Sequence, residues 1–402
     1  MSHHLASDST GSTFSFDFQP RPRVIFGADS VDKVGELARE LGAKKVLLVT
    51  DPGLVAAGHA ARVQRNLEQA GLRVAVFDRA AENPTTVCVD KCVKAAQAAD
   101  IDFIIGLGGG SSMDTAKGCN FLLTNGGHMQ DYWGVGKASK PMLPMIAIPT
   151  TAGTGSECQS AALIVDEKTH QKMACLDPKV SARIAILDPT LTHSQPPKVT
   201  ACTGIDALSH ALETAVTKKR NPISTMFSRE AFKLCATAFP QVLANPKDLS
   251  ARGRMLLGAA LAGMAIENSM LGAAHAAANP LTAEYGLVHG KAVGLMLPAV
   301  IRFNVAHSIS HQTYNDLASD LEALPGTNGE MKGAELLVSR VEHLLNLAKM
   351  PRSLKDCGVE KKSIPKLAEA ASRQWTASFN PRAVARKDFE QIYEEAFQVR
   401  AT

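Results

Sequence analysis

The sequence predicts a chain in two parts: an α/β part built on a parallel sheet with crossover helices, then an all-α part. Three observations carry this. Short β-rich runs alternate with amphipathic helical stretches up to about residue 190, the pattern of strand, crossover and parallel strand. Beyond about residue 197 the strand patterns nearly vanish and the chain reads as helix rich in Ala, Leu and Met. The length of 402 residues also exceeds the ~250–300 at which single cores stop growing. The expected bounds are 1–20 for a loose tail, 21–190 for the α/β part and 191–402 for the helical part.

VIFG (24–27) opens the strand series, and VDKVGELARELG after it has helical periodicity. VLLVT (46–50) leads to a helix through RVQRNLEQAG, RVAVF (73–77) to the helix TTVCVDKCVKAAQAA, and FIIGLGG (103–109) to the helix opened by SSMDTAKGCNFLL. MIAIP (145–149), ALIVD (162–166) and ARIAILD (182–188) complete the strands.

Composition excludes several function classes. Hydrophobic residues at 45% and charged residues at 20% are ordinary for a globular protein. A net charge of +4 over this length gives little to a polyanion, and Lys218-Lys219-Arg220 reads as a solvated loop, not a nucleic-acid patch. No apolar run reaches the ~20 residues of a membrane span. The N-terminal MSHHLASDSTGSTFSF lacks the basic start and apolar core of a secretion signal, and His3 and His4 read as incidental. Eight cysteines scattered in apolar stretches fit reduced thiols and a cytoplasmic location. Cys88 and Cys92, in CVDKC, read as a buried helical face.

Three loops after predicted strands have ligand-binding composition. In GLGGGSSMDTAK (106–117), Gly109, Gly110 and Ser111 stand between a buried strand and a helix, where backbone N–H groups and the helix dipole favour a pyrophosphate. Alone, the three glycines could also form only a tight strand–helix turn. Asp114, placed in the first helical turn, serves equally as a dipole partner. Asp51, ending VLLVTD, is placed to bond a ribose 2′-hydroxyl and to repel a 2′-phosphate, favouring NAD over NADP. It precedes the glycines, against the usual order of the dinucleotide fingerprint, and an N-cap or Asx turn before Pro52 explains it as well. IPTTAGTGSE (148–157) offers Thr150, Thr151 and Thr154 to a ribose or phosphate, or to their own backbone. Together the loops mark the crevice at the carboxyl ends of parallel strands, where open α/β sheets bind ligands.

In the helical part, GIDALSHALE and LGAAHAAANPLTAEYGLVHG carry Asp206, His210, His275 and His289. Asp206 and His210 are one turn apart on a predicted helix, roughly 5–6 Å between Cβ atoms, which is chelating distance. His275 and His289 would stand roughly 21 Å from each other on one straight helix, and Pro280, Gly286 and Gly290 supply the break that lets them converge. One carboxylate and three imidazoles suit a divalent metal, although an Asp/His pair at this spacing also forms ordinary helix-surface bonds. His275 and His289 sit in apolar sequence, where an unpartnered imidazole is costly. His307 and His311, at the same spacing as Asp206 and His210, lie among polar residues and read as a solvated face.

GGGSSMDTAK, PTTAGTGSE, GIDALSHALE and the His-rich stretch followed by YGLVHGKAVGLMLPAVIRFN, in this order, resemble the iron-containing (group III) alcohol dehydrogenase family from about Pro22 to the C-terminal helices. The resemblance implies an N-terminal NAD-binding domain, a helical metal-binding domain, and a catalytic metal in the cleft between them. It implies Asp206, His210, His275 and His289 as ligands of one divalent ion, Fe2+ or alternatively Zn2+. It implies Asp51 as the ribose-binding acid, Gly109, Gly110, Ser111 and Asp114 as the pyrophosphate turn, and Asn83, Thr150, Thr151, Thr154 and Lys172 as further NAD(H) contacts. One position departs. Many members carry HxxxHP, with the second His near the nicotinamide as a proton relay, and here HAAANP places Asn279 there. Asn exchanges hydrogen bonds but does not titrate near pH 7.

The implied reaction is reversible hydride transfer between NAD(H) and an alcohol or aldehyde, with the metal as Lewis acid and the proton leaving through water or the nicotinamide ribose hydroxyl. The stretch from Arg254 to Asn279, expected to line the cleft, has only Arg254 and Glu267 as charges. This favours a small, mostly neutral substrate over a phosphorylated or dicarboxylate one, which would call for a basic clamp. Maleylacetate reductase and hydroxyacid-oxoacid transhydrogenase are alternatives on the same scaffold, and a dehydroquinate synthase-like lyase is the alternative of another class. The expected partners are the small substrate and further copies of the chain in a homodimer or larger homo-oligomer, with neither nucleic acid nor membrane.

Overall fold

A computed structural model describes residues 15–322 and 333–398; most of the expected tail, with His3 and His4, lies outside them. The strands are β1 (Arg23–Phe26), β2 (Lys45–Val49), β3 (Arg73–Phe77), β4 (Phe103–Gly108), β5 (Gly134–Val135), β6 (Met145–Pro149), β7 (Ala161–Val165), β8 (Lys172–Leu176) and β9 (Ile184–Leu187). Six of them form one sheet in the order β1-β9-β6-β4-β2-β3, parallel throughout.

Successive side chains of a strand face opposite sides of a sheet. Val46, Leu48, Ile105 and Ile146 therefore pack with Val34, Val63 and Leu67 on one face. Leu47, Val49, Ile104 and Met145 pack with Cys92, Ala96 and Cys119 on the other. Helices cover both faces, as a parallel sheet requires, and Cys92 is wholly buried in that second layer.

ALIVD does not join this sheet. β7 pairs antiparallel with β8, and β5 lies parallel to β8, in a separate three-stranded sheet. β5 and β8 went unread because β5 is two residues long and β8 has a short apolar run behind Lys172, too little for periodicity to register.

From Pro197 onward the described regular structure is helical. Pro197–Thr214, Pro222–Ala244, Leu249–Ser269, Ala273–Tyr285 and His289–Val305 share one core with Gly333–Leu347, Ile364–Ser372 and Arg386–Phe397. Asn221 caps its helix reciprocally with Ser224, and Asp248 accepts from Ala251 N at 2.9 Å, satisfying N–H groups that helix starts leave open. Among the described residues no single helix is long and apolar enough to cross a membrane. Lys218 and Lys219 are exposed as expected, Lys219 lying 5.1 Å from the Phe379 ring, while Arg220 is half-buried. His307 approaches Ser310 at 3.3 Å and His311 is exposed.

Pro280 does not break the chain. It stays inside Ala273–Tyr285, and the turn comes at Gly286, whose φ of 62° is left-handed, before a new helix starts at His289.

The loop after β6 packs directly against the helical part. Gly155 has φ +61°, and a Cβ there would stand 2.6 Å from Ala259 O and from Gly263 Cα on the helix Leu249–Ser269. Gly155→Ala is expected to cost about 1–3 kcal/mol, the usual penalty of overpacking, seen as a lower denaturant midpoint. An unchanged midpoint would show that the loop leaves the helix freely.

Candidate functional site

Three helices deliver the four metal candidates to one point. Asp206 and His210 rise from Pro197–Thr214, His275 from the first turn of Ala273–Tyr285, and His289 is the first residue of His289–Val305. Asp206 Oδ1 lies 3.6 Å from the Nε2 atoms of His210, His275 and His289. The ligand atoms of Asp206, His210 and His275 all fall within 4.8 Å of one another; His289 stands outside that tightest group but reaches the same carboxylate oxygen. The ring centroids of His210 and His275 are 4.8 Å apart, those of His275 and His289 5.3 Å.

These residues fit a metal. Asp206 Oδ1 and His275 Nε2 are buried and have no hydrogen-bond partner, a costly state for polar atoms. At 3.6 Å they are too far apart to bond each other. Four ligands at ~2.1 Å around a tetrahedral ion stand ~3.4 Å apart, close to the spacing found. Burial alone would raise the Asp206 pKa, but the imidazoles of His210, His275 and His289 hold it well below the carboxylate range. Burial would likewise lower His275, yet Glu213 and Asp206 outweigh it and raise it to about 9, whereas burial dominates at His289 and lowers it to about 3. The cluster favours a positive charge beside Asp206.

Sequence reasoning missed Glu213. Buried at 4% exposure, it takes a short hydrogen bond from His275 Nδ1 and accepts from Ala274 N at 2.6 Å. Asn380 Oδ1 accepts from the neighbouring Ala273 N at 3.2 Å. Two remote side chains thus hold the start of the helix that carries His275, and Glu213 turns its Nε2 toward Asp206, as outer carboxylates do for metal-binding imidazoles. His210 Nδ1 approaches Gly153 O at 3.3 Å, so its Nε2 also faces inward. The signal for Glu213 was its place one turn beyond His210 in GIDALSHALE.

Asp51, the glycine turn and the hydroxyl loop lie at the carboxyl ends of β2, β4 and β6, while Asn83 follows β3 and Lys172 begins β8. Gly109 precedes the helix Gly110–Asn125, and Cβ atoms on Gly109 and Gly110 would meet Thr151 at 3.2 Å and Thr154 at 2.9 Å, so the glycine turn and the hydroxyl loop pack together. Ser111 is half-buried at this helix start. Asp51 is an N-cap, its Oδ1 accepting from Leu54 N at 3.1 Å, with Ser112 Oγ 3.4 Å from Oδ2. Thr150 N donates to Gly108 O at 3.0 Å, and Thr154 Oγ1 accepts from Ser156 N at 3.3 Å. Lys172 is exposed and its Nζ donates to Asn83 Oδ1 at 3.2 Å; desolvation by the surrounding protein lowers its pKa, while Asp114, Asp206 and Glu82 act the other way.

Two expectations change. Asp114 is past the first helical turn, because the helix already begins at Gly110; it is buried, near Ser156 Oγ at 3.4 Å, and burial pushes it up to about 6. Arg254 points to Ser250 and Gln241, and Glu267 is held by Ser160 N at 2.9 Å, so neither is a free charge in the cleft. Asn279 is half-buried and donates to Gln374 Oε1 at 3.0 Å, a partner the sequence did not suggest.

Residues 20–189 match the family model for iron-containing alcohol dehydrogenase, and residues 200–397 match the model for the C-terminal part of the same family. The chain belongs to the iron-containing alcohol dehydrogenase family. It is 35% identical over 376 residues to the NAD-dependent methanol dehydrogenase of Bacillus methanolicus, covering 93% of this chain and 98% of that one. It is 33% identical to the 1,3-propanediol dehydrogenase of Citrobacter freundii, over 95% and 99% of the two chains. The crystal structure of a 1,3-propanediol oxidoreductase matches with a TM-score of 0.91 at 32% identity, over 96% of this chain and 100% of that chain. The chain is thus an NAD-dependent oxidoreductase acting on CH–OH groups, with the α/β-then-helical architecture of iron-containing alcohol dehydrogenases. That family implies NAD(H) and a divalent metal.

Glu213→Ala is expected to weaken divalent-metal binding about 10–100-fold, the usual effect of losing an outer-sphere partner, measured by metal titration of the chelator-stripped protein. Unaltered affinity would show that His275 needs no orienting group.

Proposed function

We propose that this alcohol dehydrogenase binds one divalent ion, Fe2+ in preference to Zn2+, through Asp206, His210, His275 and His289, and acts on a small, mostly neutral alcohol or aldehyde. The observation that carries the reading is the convergence of three imidazole nitrogens on an unpartnered, buried carboxylate oxygen, joined to the loop after β6 through His210 and Gly153. When bound, NAD(H) would exchange the hydride and the ion would supply Lewis acidity toward the alcohol or carbonyl oxygen.

The chain's own residues bind and orient. Gly109, Gly110, Ser111 and the hydroxyls of Thr150, Thr151 and Thr154 receive the pyrophosphate and the adjoining ribose, with Asn83, Asp114 and Lys172 beside them. Asp51 meets the adenine ribose while capping its own helix, two roles that one carboxylate can fill with separate oxygens. Residues 21–190 serve the cofactor and 191–402 the metal. Arg252 and Arg254, the cations of the helix Leu249–Ser269, are engaged by Pro246 O and by Ser250 and Gln241, which leaves no basic clamp there, and the methanol and propanediol dehydrogenases among its relatives favour short neutral alcohols over the dicarboxylate of a maleylacetate reductase. Eight free cysteines suit a reducing compartment such as the cytoplasm, and a homodimer or larger assembly is the working form we propose.

Chelation is expected to abolish NADH production from short primary alcohols, and Fe2+ to restore it more fully than Zn2+, followed by NADH absorbance. No turnover of any short alcohol with either metal would overturn the substrate reading. Asn279 and Gln374 form an amide pair that does not titrate, so Asn279→His should add an ionisation near pH ~6.5 to the pH–rate profile. An unchanged profile would place the proton's exit away from residue 279.

A further inference from the structure

Lys117 is a charge that the proposed reaction does not use. Its side chain is wholly buried on the helix that starts at the glycine turn, and Nζ donates to Ser156 O at 2.7 Å, Gln159 O at 2.8 Å and Ala161 O at 2.9 Å, with Ser156 Oγ at 3.0 Å. An ammonium has three protons, so three backbone carbonyls saturate it and the hydroxyl shares. Burial pulls its pKa down, while Asp114, Glu267 and Glu157 hold it up. A buried ion is costly unless its partners are complete, and here they are drawn from one short segment.

That segment continues the hydroxyl loop. Gly155 rests on Gly263, and Ser160 is bound to Glu267, so the helix Leu249–Ser269 grips the same stretch from the other side. Thr151 and Thr154, upstream of the gripped residues, lie on Gly109 and Gly110, and Gln159 Nε2 reaches back to Thr154 O at 2.7 Å. An ordinary core ion would need no such concentration of contacts on one loop.

We propose that Lys117 is a positioning residue for the pyrophosphate and nicotinamide half of NAD(H): an internal ammonium that fixes residues 156–161 and so sets Thr151 and Thr154 against the glycine turn. The proposal rests on the cofactor reading above. It separates the two ends of the dinucleotide, because the adenine end depends on Asp51 beyond β2, outside the segment that Lys117 holds.

The test compares wild type, Lys117→Met and Lys117→Gln for binding of NADH by fluorescence and of AMP by competition, with metal content measured alongside. Lys117→Met is expected to bind NADH about tenfold or more weakly, as loss of charge-assisted bonds at an anchoring site would give, with AMP affinity and metal content unchanged. Lys117→Gln, which can still donate two hydrogen bonds, should fall between. Unchanged NADH affinity in Lys117→Met, equal loss of NADH and AMP, or failure of both variants to fold would each overturn the proposal and leave Lys117 a general core ion. Failure of the wild-type protein to bind NADH would instead sink the cofactor reading, and this proposal with it.

Discussion

Asp206 keeps an ionised carboxylate almost out of water, at 4% exposure, with three imidazole nitrogens at 3.6 Å around one oxygen that bonds to nothing. Burying such a charge costs several kcal/mol unless opposite charge and hydrogen bonds surround it. The helical part is arranged to supply that surrounding. Two helices must start beside the middle of a third, which is why the chain turns at Gly286 and restarts at His289, and why Glu213 and Asn380 reach across to hold the N–H groups of Ala274 and Ala273. These contacts fix the first turn that carries His275.

The same constraint ties the helical part to the sheet. His210 spends its second nitrogen on Gly153 O, in the loop that follows β6, and that loop is gripped farther on by Lys117 from one side and by Glu267 and Gly263 from the other. A shift in the loop therefore moves both the imidazole beside Asp206 and the hydroxyls over the glycine turn. The proposed cofactor cleft and metal centre would therefore share a wall and would not be energetically independent.

The parallel sheet was legible because its strands are continuous buried runs after which glycines or hydroxyls cluster, and the candidate metal cluster because Asp206 and His210 repeat at helical spacing within apolar sequence. Glu213 ends the decapeptide GIDALSHALE that also carries Asp206 and His210, yet its partner His275 comes from another helix, and a tertiary pairing of that kind leaves no periodic trace. Pro280 suggested a break that the helix absorbed, the actual turn falling where Gly286 permits a left-handed backbone. Asp51 was readable as a cap or as a ligand, and the structure shows the cap in full while leaving its second oxygen near Ser112. Arg254 and Glu267 looked like cleft charges because a linear stretch does not reveal which face a helix turns inward.

The exposure of the four metal candidates gives the centre a direction. Side chains of Asp206, His210 and His275 are 5–6% exposed, that of His289 33%. His210 and His275 have their outer nitrogens engaged by Gly153 and Glu213, so both are clamped from behind, whereas His289 is the first residue of a helix that follows the left-handed turn at Gly286. The centre is therefore closed on the side of the long helices and opens past His289. Two of the three imidazoles are thus oriented by the protein's own bonds and the third is not, a division that follows from which nitrogens are already engaged.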